Sequence, residues 1–204
     1  MSEFHPIIKL PPDYEVFDFS KGYHPEQMRD RYLIGRYNED RSGLYTGDQF
    51  NSGGVENART IHVGIDIGGP VGTAVYAFDD GEIFMTAING TPGDYGGTLI
   101  TTHTFQGRTL YALYGHLSHR SVELWASDKV KSHTFKKGDT LGWIGSETEN
   151  GGWNPHVHIQ LSWVRPDKCD LPGVVSLKDR EQALRDYPDP RLVLGPIYID
   201  RALA

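Results

Sequence analysis

A single cysteine, Cys169, is present in the 204 residues. No intrachain disulfide can form, and that economy fits a reducing compartment. Basic residues are in the minority, 20 Lys and Arg against 27 Asp and Glu, for a net charge of −7. With no basic stripe, nucleic acid is not expected as a partner. No apolar run approaches the roughly 20 residues that span a bilayer, so no membrane partner is expected either. Met1 to Pro12 holds Glu3, His5 and Lys9 and lacks the basic start and apolar centre of a secretory signal. The expectation is a cytoplasmic protein, or an extracellular or periplasmic one if a leader has been removed. Low-complexity tracts, strong internal repeats and a clear domain break are also missing. Glycine is plentiful, 24 of 204, beside 11 Tyr and 4 Trp. That mixture predicts many strands joined by tight turns.

Residues 1–20 read as an extended lead-in whose end, Tyr14 to Phe19, alternates as an edge strand does. Pro25 to Ile34 reads as a short helix stopped by Gly35. Residues 36–58 are polar and Gly-rich without a period and read as a surface loop. From Ile61 the pattern turns to strands: Thr73 to Phe78, Glu82 to Ile88, Thr98 to Phe105, Thr109 to Leu117, Thr140 to Ile144 and His156 to Val164. Gln106-Gly107-Arg108 and Lys136 to Asp139 supply turns. In the last strand Val157, Ile159, Leu161 and Trp163 alternate with His156, His158, Gln160 and Ser162, one apolar face against one polar face. Ser176-Leu177-Lys178-Asp179 reads as a capping box opening a helix to about Tyr187, ended by Pro188 and Pro190.

Ile61 to Ile67 is read as one strand. His62 and Asp66, four apart, would then share a face with Gly64 between them. An imidazole and a carboxylate so placed suit one divalent metal. A buried histidine bonded to an aspartate near a turn accounts for the same pair, and for these two residues alone it is the preferred reading. His156-Val157-His158 puts two rings on one strand face. Metal sites use such pairs because neutral imidazole is a strong zinc ligand; two solvent-facing polar residues are an equal alternative. Tyr114-Gly115-His116-Leu117 places His116 at a strand end. His5, His24, His103, His119 and His133 receive no role.

Taken in order, His62-x-x-x-Asp66, Tyr114-Gly115-His116-Leu117 and His156-x-His158 resemble the LytM/lysostaphin-type zinc metallopeptidases, the M23 peptidase family. Asp80-Gly81-Glu82-Ile83 and Lys137 to Gly145 support the match, which covers roughly residues 40–165. The resemblance implies an all-β fold, an antiparallel β-sandwich or barrel-sandwich hybrid with short helical additions at both ends. It implies one zinc ion per chain, held by His62, Asp66 and His158, with His116 and His156 catalytic. In this family a tyrosine upstream of the first ligand sometimes helps hold the oxyanion. Tyr45 stands in that position, and packing is the reading preferred for it. The implied function is hydrolysis of peptide bonds in peptidoglycan cross-links or related glycine-containing peptides, with a peptide or muropeptide as substrate. A non-enzymatic binding module on the same scaffold and a structural metal protein with His62, Asp66, His156 and His158 all ligating are the alternatives. A lipoyl- or biotinyl-type carrier, suggested by the Lys137-Gly138-Asp139 turn, lacks the flanking residues that class needs. The expected organisation is an N-terminal extension at 1–40, a peptidase domain at 41–165 and a C-terminal extension at 166–204.

Overall fold

In the computed structural model, residues 4–22, 24–28, 30–45, 47–51, 54, 57–126 and 133–199 are described. Thirteen strands run as β1 (Glu15–Val16), β2 (Leu33–Gly35), β3 (Glu39–Asp40), β4 (Arg59–His62), β5 (Ile65–Gly68), β6 (Ala74–Tyr76), β7 (Gly81–Asn89), β8 (Gly96–Phe105), β9 (Arg108–Leu117), β10 (Thr134–Phe135), β11 (Thr140–Trp143), β12 (His156–Ser162) and β13 (Val174–Ser176) among the described residues. The helices are short: α1 (Pro25–Met28), α2 (Asp48–Asn51), α3 (His119–Ala126), α4 (Arg180–Asp186) and α5 (Arg191–Leu194). The protein is all-β with helical additions, as the resemblance implied. None of the helices among the described residues is long and apolar enough to cross a membrane.

The longest hairpin, β8–β9, shows how local sequence sets the register. Phe105 pairs with Arg108, so only Gln106 and Gly107 form the loop, one residue fewer than the sequence suggested. Both have positive φ, 48° and 76°, which matches the right-handed twist of the flanking strands. From this hairpin an eight-stranded sheet extends in the order β1-β2-β5-β12-β9-β8-β7-β10. All its pairings are antiparallel except β1–β2. β6 and β11 form a separate pair, and β13-β4-β3 a third sheet.

The central strands are covered on both faces. Val157, Ile159 and Leu161 of β12 and Leu110, Ala112 and Tyr114 of β9 enter the main core, with Val75, Leu141 and Ile144 from the β6–β11 side. Burying each aliphatic side chain contributes about 1.5–3 kcal/mol. Across the sheet, Tyr111 and Leu113 pack with Tyr95, Ile100, Cys169 and Leu171. The face of β12 that carries His158, Gln160 and Ser162 is therefore also buried. Its polar residues face a second layer and a cleft rather than bulk water.

Four local expectations are corrected. Ile61 to Ile67 is not one strand: β4 ends at His62 in the three-stranded sheet, and β5 begins at Ile65 in the eight-stranded one. The break falls at Gly64, where a Cβ would collide with the His158 ring and lie 2.9 Å from the Ile159 carbonyl oxygen. The helix from Pro25 ends at Met28, and Leu33–Gly35 is strand β2, because its two apolar residues are wholly or almost wholly buried beside β5. Among the described residues of 36–58, the stretch 39–45 is not a loop over the surface: Glu39, Arg41 and Tyr45 are buried, Glu39 pairs with His62 of β4, and Arg41 bonds Asp66 of β5. Ser176 closes β13 and bonds the Asp179 carboxylate, so α4 starts four residues after it, with Asp179 at its N-cap.

Candidate metal centre

One row across the large sheet organises the site. Gly35, Asp66, His158 and Gly115 are successive cross-strand neighbours on β2, β5, β12 and β9. The two glycines flank the two functional side chains and leave room for groups from other segments. A Cβ at Gly35 would lie 2.6 Å from Arg41 Nη2, and one at Gly115 would lie 2.5 Å from the Tyr95 ring. His62 reaches the row from the neighbouring sheet, just before the chain crosses at Gly64. The two residues four apart thus converge through a change of sheet, not through strand alternation.

His62, Asp66 and His158 are buried and bring one ligand atom each together. Their hydrogen bonds fix which nitrogens carry protons. His62 Nδ1 donates to the Arg36 carbonyl at 2.8 Å. His158 Nε2 donates to Gln160 Oε1 at 3.1 Å. The remaining lone pairs, His62 Nε2 and His158 Nδ1, face one another at 3.1 Å. Asp66 Oδ1 lies 2.9 Å from His158 Nδ1 and 3.3 Å from His62 Nε2. Three acceptors therefore converge with no hydrogen among them, an arrangement that repels itself unless a cation sits at its centre. Ligand atoms about 2.0–2.2 Å from a tetrahedral zinc stand roughly 3.3 Å apart, so the donor set fits that ion.

The electrostatics agree. Burial, with Arg41 next, pushes His62 down to about 4, against the pull of Asp66 in the other direction. Burial would raise the Asp66 carboxyl, yet the neighbouring His62 and the Arg41 guanidinium hold it well below the usual carboxylate range. A neutral imidazole beside an ionised carboxylate is the protonation state that metal ligation requires.

His116 and His156 stand beside this group. His116 has φ 61°, unusual for a side chain of its size, at a bulge where β9 shifts register against β8. The bulge re-aims the imidazole into the cleft, and bulges commonly do this next to functional sites. His116 Nδ1 donates to the Asn150 carbonyl at 2.8 Å, and His156 Nδ1 to the Asn154 carbonyl at 2.6 Å. The two rings are 4.2 Å apart, and His156 Nε2 is 3.7 Å from Asp66 Oδ1. Burial is the first cause that lowers both; for His116, the neighbouring His156 and His158 add to it and carry the pKa well below 6.5. Both imidazoles are neutral at ordinary pH with Nε2 unprotonated.

Five residues singled out by sequence meet in one cleft of about 510 Å³, walled by Tyr45, Phe50, Tyr95 and Trp153. Tyr45 is buried at the wall, and its hydroxyl accepts from Arg41 Nη1 at 3.3 Å. Gly151 and Gly152 both have positive φ in a turn held by Asn150, whose Oδ1 accepts from the amides of Gly152 and Trp153. His103 is buried away from the cleft, bonded to Thr101 and the Asp80 carbonyl. Arg41, Glu39, Tyr95 and Gln160 escaped the sequence reading. For Gln160 a signal existed, its place two residues after His158 on the same face; for Arg41 none did.

The profile described as Peptidase family M23 matches residues 60–170, more than half of the chain. Peptidoglycan DD-endopeptidase ShyA of Vibrio cholerae is 29% identical over 126 residues, covering 60% of this chain and 26% of its own length. A zinc-containing peptidase from Vibrio cholerae aligns with a TM-score of 0.37 and 23% identity, over 51% of this chain and 28% of that one. The catalytic domain of lysostaphin from Staphylococcus simulans aligns with a TM-score of 0.44 and 21% identity, over 74% of this chain and 92% of that domain. The chain spans about a quarter of the curated relative it matches.

Proposed function

This chain belongs to peptidase family M23, and from that premise we propose that it is a zinc-dependent endopeptidase acting on the peptide cross-links of peptidoglycan. His62, Asp66 and His158 would hold the zinc, and His116 and His156 would move protons. The carrying observation is the convergence of three lone-pair acceptors whose hydrogens are all committed elsewhere. Zinc with three protein ligands supplies Lewis-acid polarisation of a carbonyl and acidifies water to a pKa of about 7.

The chain's own residues supply the rest. His116 and His156 are kept neutral by burial, and their Nδ1–H groups are tied to backbone carbonyls. Each ring thus offers Nε2 as a base, able to take a proton from attacking water and return it to the leaving amine. The cleft binds and orients the peptide, with Tyr45 and Trp153 offering aromatic walls. The peptidoglycan substrate follows the curated relative, a DD-endopeptidase. Such a substrate is met outside the cytoplasm, so the reaction is placed there. The unit that performs it is residues 41–165, with 166–204 and 1–40 as extensions, the latter lending Gly35 and the Arg36 carbonyl to the site.

The test is zinc content of the purified chain, followed by its action on isolated peptidoglycan with mass-spectrometric readout of released muropeptides. One zinc per chain and chelator-sensitive release are expected. A zinc-loaded chain that releases nothing from peptidoglycan or from glycine-containing peptides would end this reading.

A further inference from the structure

Arg41 is 1% exposed, the largest fully buried side chain among the described residues, and it lies outside the family match at 60–170. Its guanidinium is fully engaged. Nη1 donates to Asp66 Oδ2 at 2.6 Å, Nε to Glu39 Oε2 at 2.9 Å, and Nη2 to the Arg36 carbonyl at 3.3 Å. Its flat face lies 4.5 Å from the Phe19 ring centre. The Arg36 carbonyl also accepts from His62 Nδ1, so one backbone oxygen fixes both the imidazole and the guanidinium. Glu39 is held in turn by the Phe19 amide at 3.2 Å and by Arg36 Nη1 at 3.4 Å. Gly35 has no side chain where a Cβ would lie 2.6 Å from Arg41 Nη2.

Asp66 divides its oxygens between two partners. Oδ1 faces His62 and His158, and Oδ2 faces Arg41. Resting on the metallopeptidase reading above, we propose that Arg41 is a positioning residue for Asp66: it occupies Oδ2 so that the carboxylate offers the metal one oxygen at a fixed angle. The planar guanidinium fork suits this task, because it grips Asp66 and Glu39 at once. A buried arginine is costly unless its charge is matched, and the Glu39–Arg41–Asp66 chain matches it between two carboxylates. Residues 35–41 are then part of the metal site. Partners that orient a ligand carboxylate are worth about 10–100-fold in metal affinity.

The experiment uses the full chain carrying Arg41→Ala or Arg41→Lys, with zinc affinity measured by chelator competition. The visible absorption of the cobalt-substituted protein reports coordination, and circular dichroism reports folding. Arg41→Ala should fold, bind zinc about 10–100-fold more weakly, and shift its cobalt bands as Asp66 turns. Arg41→Lys keeps the charge without the fork and should remain weaker than wild type. A folded Arg41→Ala with wild-type zinc affinity and an unchanged cobalt spectrum overturns the proposal. Should Arg41→Ala not fold, Arg41→Lys, which keeps the charge and loses the fork, decides by the same two readings. A wild-type chain that binds no zinc removes the metallopeptidase reading itself. Normal wild-type binding with unaffected variants removes only the role of Arg41.

Discussion

Each histidine in the cleft spends one nitrogen on a fixed acceptor and turns the other inward. His62, His116 and His156 use backbone carbonyls, whereas His158 uses the Gln160 side chain. That difference makes His158 the one imidazole whose tautomer a mutation can release. Gln160→Leu removes the acceptor, lets the proton return to Nδ1, and should weaken zinc binding by about 10–100-fold in chelator competition. Gln160→Glu keeps an acceptor and should bind closer to wild type; equal loss in both variants would refute tautomer control. The two histidines outside the ligand trio should separate from it by readout. His116→Ala and His156→Ala should lower turnover by about 10²–10⁴-fold with zinc retained, and His158→Ala should lose the metal. Zinc surviving His158→Ala but falling with His156→Ala would reverse the ligand assignment. The family resemblance picked out these five residues in advance, because three short motifs, His62-x-x-x-Asp66, Tyr114-Gly115-His116-Leu117 and His156-x-His158, carry them. Arg41, Glu39 and Tyr95 were not legible, since each reaches the site from a segment whose own sequence pattern says nothing about its neighbours.

Strands whose alternation runs long enough were readable, and short ones were not. β12 alternates over seven residues, and β8–β9 announces itself by Gln106-Gly107, so both were found with nearly correct ends. β2 is three residues long and follows a proline start signal, so helix chemistry dominated the reading there. The stretch from β4 to β5 misled in the opposite way: its seven residues alternate well, yet the chain changes sheets midway. Gly64 permits that change, which gives a test at the level of the element. Gly64→Ala places a methyl group against the His158 ring and near the Ile159 carbonyl, with little freedom for either to withdraw. Overpacking of this kind costs about 1–3 kcal/mol. Denaturant unfolding should show that loss, and zinc content should fall with it. Unchanged stability together with full zinc content would mean that β4 and β5 do not cross so close to β12.

Across the whole molecule, the site is built from buried neutral bases, and that couples its chemistry to stability. His62 is pushed from 6.5 down to about 4, first by burial and then by Arg41, with Asp66 pulling the other way. His103, far from the cleft, is lowered by burial as well. In the unfolded chain these histidines regain values near 6.5. Between about 6.5 and 4 the unfolded chain therefore binds protons that the folded chain refuses, and falling pH favours unfolding. The stabilisation is fully present above 6.5 and is lost progressively as pH falls toward 4. For His62 alone it amounts to about 3 kcal/mol, on the order of 6–12 °C in melting temperature for a chain of this size. Zinc binds the same lone pairs that protons seek, so its added stabilisation should shrink over the same interval. Melting curves of chelator-treated and zinc-loaded protein, taken from pH 7.5 to 4.5, should both descend as the pH falls, the zinc-loaded one more steeply until the two meet. A chelator-treated protein whose melting temperature stays level from pH 7 to pH 5 would show that these histidines are already protonated, or are hydrated, in the folded state.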